Sequence, residues 1–266
     1  MKETKNKTSL FPCLTALLLI VCVKYWRRFA GSNELDWLLA PTARWVEILS
    51  GLSFEKIPHL GYLNHSVRLI IAPSCSGIQF MLVAFAVLSF PFLPRIKNRK
   101  REMAWLALSL PVAYLYAIGV NGIRIVLSVC LPPMVPSLLR PLPHSAAILA
   151  WLTAKRLHTL IGATVSLIFL FLLYRIAGLL FNRIFSHRTG QAFSASHAHP
   201  YTAKRFVWQY LPPLLCYFSI VLGIPLFGRI CKSEWDGFAD FALLTAAACL
   251  AALLPFCLTA FLRRLK

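Results

Sequence analysis

The chain has 266 residues, of which 58% are hydrophobic and only 14% charged, with a mean hydropathy of +0.68. Soluble domains carry about 25% charged residues, so this much apolar surface excludes a single water-soluble core, disorder and fibrous classes, and makes the bilayer the expected solvent. The formal net charge of +19 comes from 28 Lys and Arg against 9 Asp and Glu. It falls in short clusters between apolar runs, the pattern of topology signals beside anionic lipid, and no nucleic-acid surface is expected. The eight cysteines form no CxxC and no Cys/His set with zinc spacing, so neither a disulfide scaffold nor a metal or other cofactor is expected.

In chain order, a basic N-terminus (Lys2, Lys5, Lys7) precedes an apolar run from Ser9 to Trp26. No small-residue cleavage site follows it directly, so it reads as an uncleaved anchor. Residues 27–66 are mixed, and Trp37–Leu52 is amphipathic enough to lie in the membrane interface. A second span is expected at 76–94, entered through Pro73-Ser74-Cys75-Ser76-Gly77. Arg95, Lys97, Arg99, Lys100 and Arg101 then form the densest basic loop, cytoplasmic by the positive-inside rule. Met103–Val120 spans again and ends at Asn121-Gly122-Ile123-Arg124. Five prolines divide 125–157 into two short apolar pieces, either a re-entrant segment or a tight hairpin of two spans. Further spans are expected from His158 to Leu180, Phe206 to Gly228 and Phe241 to Leu262, with a polar loop at 182–205.

With the N-terminus inside, the inner segments hold 15 Lys and Arg, while Glu234, Asp236 and Asp240 fall outside. Lys24, Arg27 and Arg28 dissent, because they follow the first span on the outer side. The expected fold is an all-α transmembrane bundle of six to eight spans with both termini cytoplasmic. It divides into an anchor and interfacial segment (1–66), a core (67–180), and a loop with a final pair of helices (181–266).

This topology puts Cys75, Arg124 and His158 at the outer ends of three different helices. A nucleophilic Cys needs a base, and an imidazole is the usual partner. A tetrahedral acyl intermediate needs a positive or N–H-rich site, which a guanidinium supplies. Arg124 has no acidic neighbour in sequence, although an Arg toward the middle of a span costs on the order of 2.5–3.5 kcal/mol. Asn121 and Arg124 share a helix face, as do His158 and Gly162. Gly162 would let another helix approach closely. Ser74, Ser76 and Gly77 favour a turn or helix start around the Cys, whose dipole would favour thiolate.

The three segments Pro73-Ser74-Cys75-Ser76-Gly77-Ile78, Asn121-Gly122-Ile123-Arg124-Ile125 and His158-Thr159-Leu160-Ile161-Gly162 resemble, in order and membrane context, the motifs of the exosortase/archaeosortase family. The resemblance covers about residues 67–180. It implies an integral membrane cysteine protease or transpeptidase in the cytoplasmic (inner) membrane, with its active site on the extracytoplasmic side. Its substrates would be exported proteins with a C-terminal signal: a Pro-Glu-Pro-like motif, a transmembrane helix and a basic tail. The acyl group would pass to water or to another acceptor, polysaccharide or lipid-linked. By the same resemblance Cys75 is the nucleophile, Arg124 the electrostatic stabiliser and His158 the acid/base.

Each residue also has an ordinary reading: an inert interface thiol, a snorkelling Arg, an interfacial basic cap. His59, His65 and His144 are outer-side alternatives to His158 as base, and His197/His199 would form at most a weak metal site. The competing functions are a transporter with Arg124 as an anion site, and a non-catalytic scaffold in envelope polysaccharide assembly. Inverted repeats and midplane charges, the marks of transporters, are not found.

Overall fold

The computed structural model describes residues 10–141, 145–186, 203–230 and 237–265. The chain is mostly helical. Among the described residues three helical stretches are long and apolar enough to cross a membrane, Pro73–Arg95, Arg99–Leu138 and Ala154–Phe185. Three shorter apolar helices, Leu10–Trp26, Leu211–Phe227 and Phe238–Leu253, accompany them.

Helix α1 (Leu10–Trp26) is apolar almost all round. Ala16 and Ile20, one turn apart, are buried against the bundle, while Leu14, Leu17 and Leu18 are exposed, so one stripe of the helix is packed and the rest is apolar surface. Helix α2 (Asp36–Ser50) matches the amphipathic stretch expected to lie on the membrane. Its apolar face meets protein instead. Leu38, Leu39, Ala43 and Val46 form a small core with Leu35, Ile71, Ile78 and Ile125. At about 1.5–3 kcal/mol per fully buried side chain, this packing outweighs an interfacial position. Tyr114 reinforces it, stacking on Trp37 at 5.5 Å and donating to the Trp37 carbonyl at 2.8 Å.

A three-stranded antiparallel meander follows, β1 (Glu55–Ile57), β2 (Gly61–Asn64) and β3 (Leu69–Ile71), in that order. Leu63 of β2 pairs with Glu55 on one side and Ile70 on the other. The sheet is anchored to α2, where Asp36 accepts from Lys56 at 2.8 Å and from the Tyr62 hydroxyl at 2.9 Å. Strand β3 runs directly into a 3-10 turn at Pro73–Cys75 and then into α3 (Ile78–Ser89).

Helix α3 is the central helix, with ten of its 12 residues buried. Twelve residues rise only about 18 Å, short of a hydrocarbon core of about 30 Å. The 3-10 turns at Pro73–Cys75 and Leu93–Arg95 extend it to a 23-residue span. Asn98 then caps α4 (Arg99–Cys130), its side chain accepting from the Lys100 amide at 2.9 Å. Helix α4 does not end at Asn121. It runs through Arg124 to Cys130, because the first residues that cannot continue the backbone bonding are Pro132 and Pro133.

The segment beyond α4 holds two helices of five and seven residues, α5 (Val135–Leu139) and α6 (Ser145–Trp151). Each is far below the about 20 residues of a crossing. Helix α7 (Ala154–Ser186) returns across the bundle, its start supported by Thr153, which accepts from the Arg156 and Leu157 amides. At its far end Phe181 packs 5.2 Å from Phe92 and 5.3 Å from Trp105, locking the basic end of the bundle. Helices α8 (Ala203–Phe218) and α9 (Ile224–Ile230) are joined by a π-helical turn, Ser219–Gly223. Helix α10 (Phe238–Leu265) packs along α7, where Asp240 meets Arg156 at 3.1 Å.

Candidate functional site

The start of α3, the last turns of α4 and the start of α7 lie at one end of the bundle, and the basic loop 95–101 lies at the other. The three motifs therefore meet because successive core helices run antiparallel.

The Cys75 turn is held from both sides. The Cys75 amide closes the 3-10 turn onto the Ala72 carbonyl at 2.8 Å. The Cys75 carbonyl accepts from the Asn121 amide nitrogen at 2.7 Å. Asn121 is 2% exposed, so this bond is shielded and expensive to lose. Gly77 makes the approach possible. Its φ is 77°, a left-handed conformation, and a Cβ there would sit 2.8 Å from the Asn121 side chain. Asn121 thus holds the Cys75 turn, not the imidazole. Trp45 of α2 brackets the same motif from outside. Its indole donates to the Gly119 carbonyl at 3.2 Å and lies where a Cβ on Gly122 would be, 2.3 Å from Cδ1.

A cavity of about 890 Å³ opens beside this turn. Ser74, Ser76, Gly77, Arg124, His158 and Gly162 line it. Cys75 itself is half-buried at the edge of the wall, its Sγ 3.9 Å from Ser74 Oγ. Arg124 and His158 line the same cavity, next to Ser74, Ser76 and Gly77 on either side of Cys75. No hydrogen bond joins the thiol and the imidazole directly among the described residues. Arg124 is partly buried, and its Nε is enclosed without a hydrogen-bond partner. Among the described residues none that lines the cavity is acidic. Gly162 lies against Arg124, an added Cβ falling 3.6 Å from its Cδ, so the group that approaches Gly162 is the Arg124 side chain.

Among the alternative bases, His59 and His65 sit in the sheet region away from the cavity, with His65 paired to Glu55 at 3.2 Å. His144, His197 and His199, like Glu234 and Asp236, fall outside the described residues. No group of three or more His, Cys, Asp and Glu able to hold a metal occurs among the described residues.

Four further residues on the wall were not singled out as site residues in the sequence: Lys24, Arg27 and Arg28 from α1 and the turn after it, and Tyr217 from α8. The α1 cations carried one signal, positive charge on the outer side of the topology. Tyr217 is 5% exposed and within electrostatic reach of Arg124, and no pattern around it in the sequence marks it.

The arrangement defines a helical protein with stretches long and apolar enough to cross a membrane, in which a guanidinium and an imidazole line one cavity beside the Cys75 turn. No protein-family model, no curated protein and no solved structure matches the chain.

Proposed function

We propose that this chain is a membrane cysteine protease or transpeptidase of exosortase type. It cleaves a C-terminal sorting signal from exported proteins on the outer side of the cytoplasmic membrane. The observation that carries the reading is the meeting of three motifs, far apart in sequence, around one cavity that holds an Arg whose Nε has no hydrogen-bond partner and, among the described residues, no acid. The chain crosses the bilayer six times with both termini inside, which keeps the loop 95–101 cytoplasmic and the cavity outward.

In this reaction Cys75 gives its proton to His158, directly or through one water. The thiolate adds to the scissile carbonyl carbon, and the carbonyl electron pair moves onto oxygen beside the Arg124 guanidinium. Collapse breaks the C–N bond, and the amine of the helix-bearing fragment takes the proton from His158. The thioester on Cys75 is then opened by water, an amine or a hydroxyl, which gives its proton to His158 as the thiolate leaves. Asn121, Ser74, Ser76 and Gly77 hold the turn that aims Cys75.

The test follows a tagged substrate with a Pro-Glu-Pro-like motif, a helix and a basic tail in cells carrying variants. Cys75→Ala and Cys75→Ser lose processing at normal membrane levels. Arg124→Lys is severely impaired, because an ammonium cannot reproduce the planar fork. Wild-type processing by Cys75→Ala would leave a non-catalytic scaffold as the better reading. Thiol labelling of Cys75 from the cytoplasmic side alone would overturn the orientation.

A further inference from the structure

Arg27 and Arg28 lie three and four residues after Lys24, in the turn that follows α1, so they continue the face of the helix that carries Lys24. That face also carries Val21, and all four residues line the cavity. Basic residues at a span end ordinarily reach outward to the headgroups; Lys24 and Arg27 are instead tied to neighbouring backbone. The Lys24 ammonium donates to the Ile220 carbonyl in the π-helical turn. The Arg27 guanidinium donates to the Pro73 carbonyl at 3.1 Å, two residues before Cys75. Arg28 is exposed and within electrostatic reach of Lys24, and its side chain makes no hydrogen bond among the described residues.

With Arg124, four basic side chains line one cavity that no acid among the described residues lines. Like charges this close repel unless an anion joins them. Deeper along α1 and α3 the wall changes character, to Val21, Phe80, Leu82 and Val83. The cavity has a cationic mouth at the membrane surface and a hydrocarbon-like interior.

We propose that this cavity binds the phosphate headgroup of a membrane lipid, with part of the lipid chain in the apolar interior. A terminal phosphate carries about −1.5 to −2 charge with three strong acceptor oxygens. It therefore answers several cations at once, and Arg forks match its geometry. A lone carboxylate offers one charge and leaves most of the mouth uncompensated. Free phosphate would leave the apolar interior unused. The proposal does not depend on Cys75 being a nucleophile, and its test reads binding alone.

The full chain, purified in a neutral detergent, is titrated with phosphatidic acid, phosphatidylcholine, inorganic phosphate and a soluble Glu-containing peptide. Phosphatidic acid binds saturably, while the other three bind far more weakly. Arg28→Gln, a change at an exposed position, weakens phosphatidic acid by about tenfold, the loss of one charge-assisted contact. Lys24→Gln with Arg28→Gln weakens it further. Lys97→Gln with Lys100→Gln, at the opposite end of the bundle, leaves it unchanged. Equal weakening by the Lys97/Lys100 pair would reduce the effect to general charge attraction and overturn the proposal. So would inorganic phosphate binding as tightly as the lipid, the peptide binding while the lipid does not, or an unchanged affinity in the double α1 variant.

Discussion

Gly77→Ala should be among the most damaging single-methyl changes in this protein, through two separable costs. The residue sits at φ 77°, where an L-residue costs about 1–2 kcal/mol. The new Cβ would lie 2.8–2.9 Å from three atoms of the Asn121 side chain. Asn121 must therefore move, and its 2.7 Å bond to the Cys75 carbonyl is lost. Leaving that shielded carbonyl unpaired costs about 1–3 kcal/mol. The sum is roughly 2–5 kcal/mol. Apparent melting of the purified chain in detergent, read by exposure of its buried thiols, measures it. Asn121→Gly removes the obstacle, whose nearest atoms include the Asn121 Cβ, and the bond together, so Gly77→Ala in that background should cost only the backbone part. The double-mutant cycle should return a coupling of about 1–3 kcal/mol. Equal cost of Gly77→Ala in both backgrounds would refute the account, since the clash would then contribute nothing.

Three other outcomes are expected. Gly122→Ala should destabilise the protein by displacing Trp45, whereas Gly119→Ala, with nothing within 4 Å of its new Cβ, should be neutral or stabilising by up to about 1 kcal/mol from helix propensity; paired melts compare them. Gly162→Ala should retain substrate processing because its Cβ makes an ordinary 3.6 Å contact with Arg124, while Gly162→Leu should displace the guanidinium and abolish processing. The Asp36–Lys56–Tyr62 tie should open at both extremes of pH. The hydrogen bond from Lys56 holds Asp36 below the usual carboxylate range, so its stabilisation is present above the ordinary Asp pKa and fades as pH falls through the lowered one. Desolvation, with Asp36 alongside, pushes Tyr62 up to about 12, so its contribution is complete below the ordinary Tyr value and fades as pH rises toward that limit. Limited proteolysis of the 52–72 segment should be slowest near neutrality, and Asp36→Asn should remove the acid-side dependence.

The sequence by itself determined the helical, apolar character of the chain, the apolar runs that become its long helices, and the bundle end at which Cys75, Arg124 and His158 sit. Those follow from hydropathy and helix direction, which are local and additive along the chain. The three-stranded sheet was not legible, because strands of three and four residues are too short to show an alternation. The seat of α2 was not legible either, since an amphipathic face suits a lipid surface and a protein core equally well. Only the tertiary structure decided that Asn121 holds the Cys75 carbonyl, 46 positions away, and that Arg124 and His158 line one cavity beside that turn. It also brought Lys24, Arg27 and Arg28 to the wall of that cavity, where charge counting had marked them as an exception. Each of these is a contact between distant segments, fixed by how neighbouring helices interlock, and no residue's immediate neighbours in the chain carry that information.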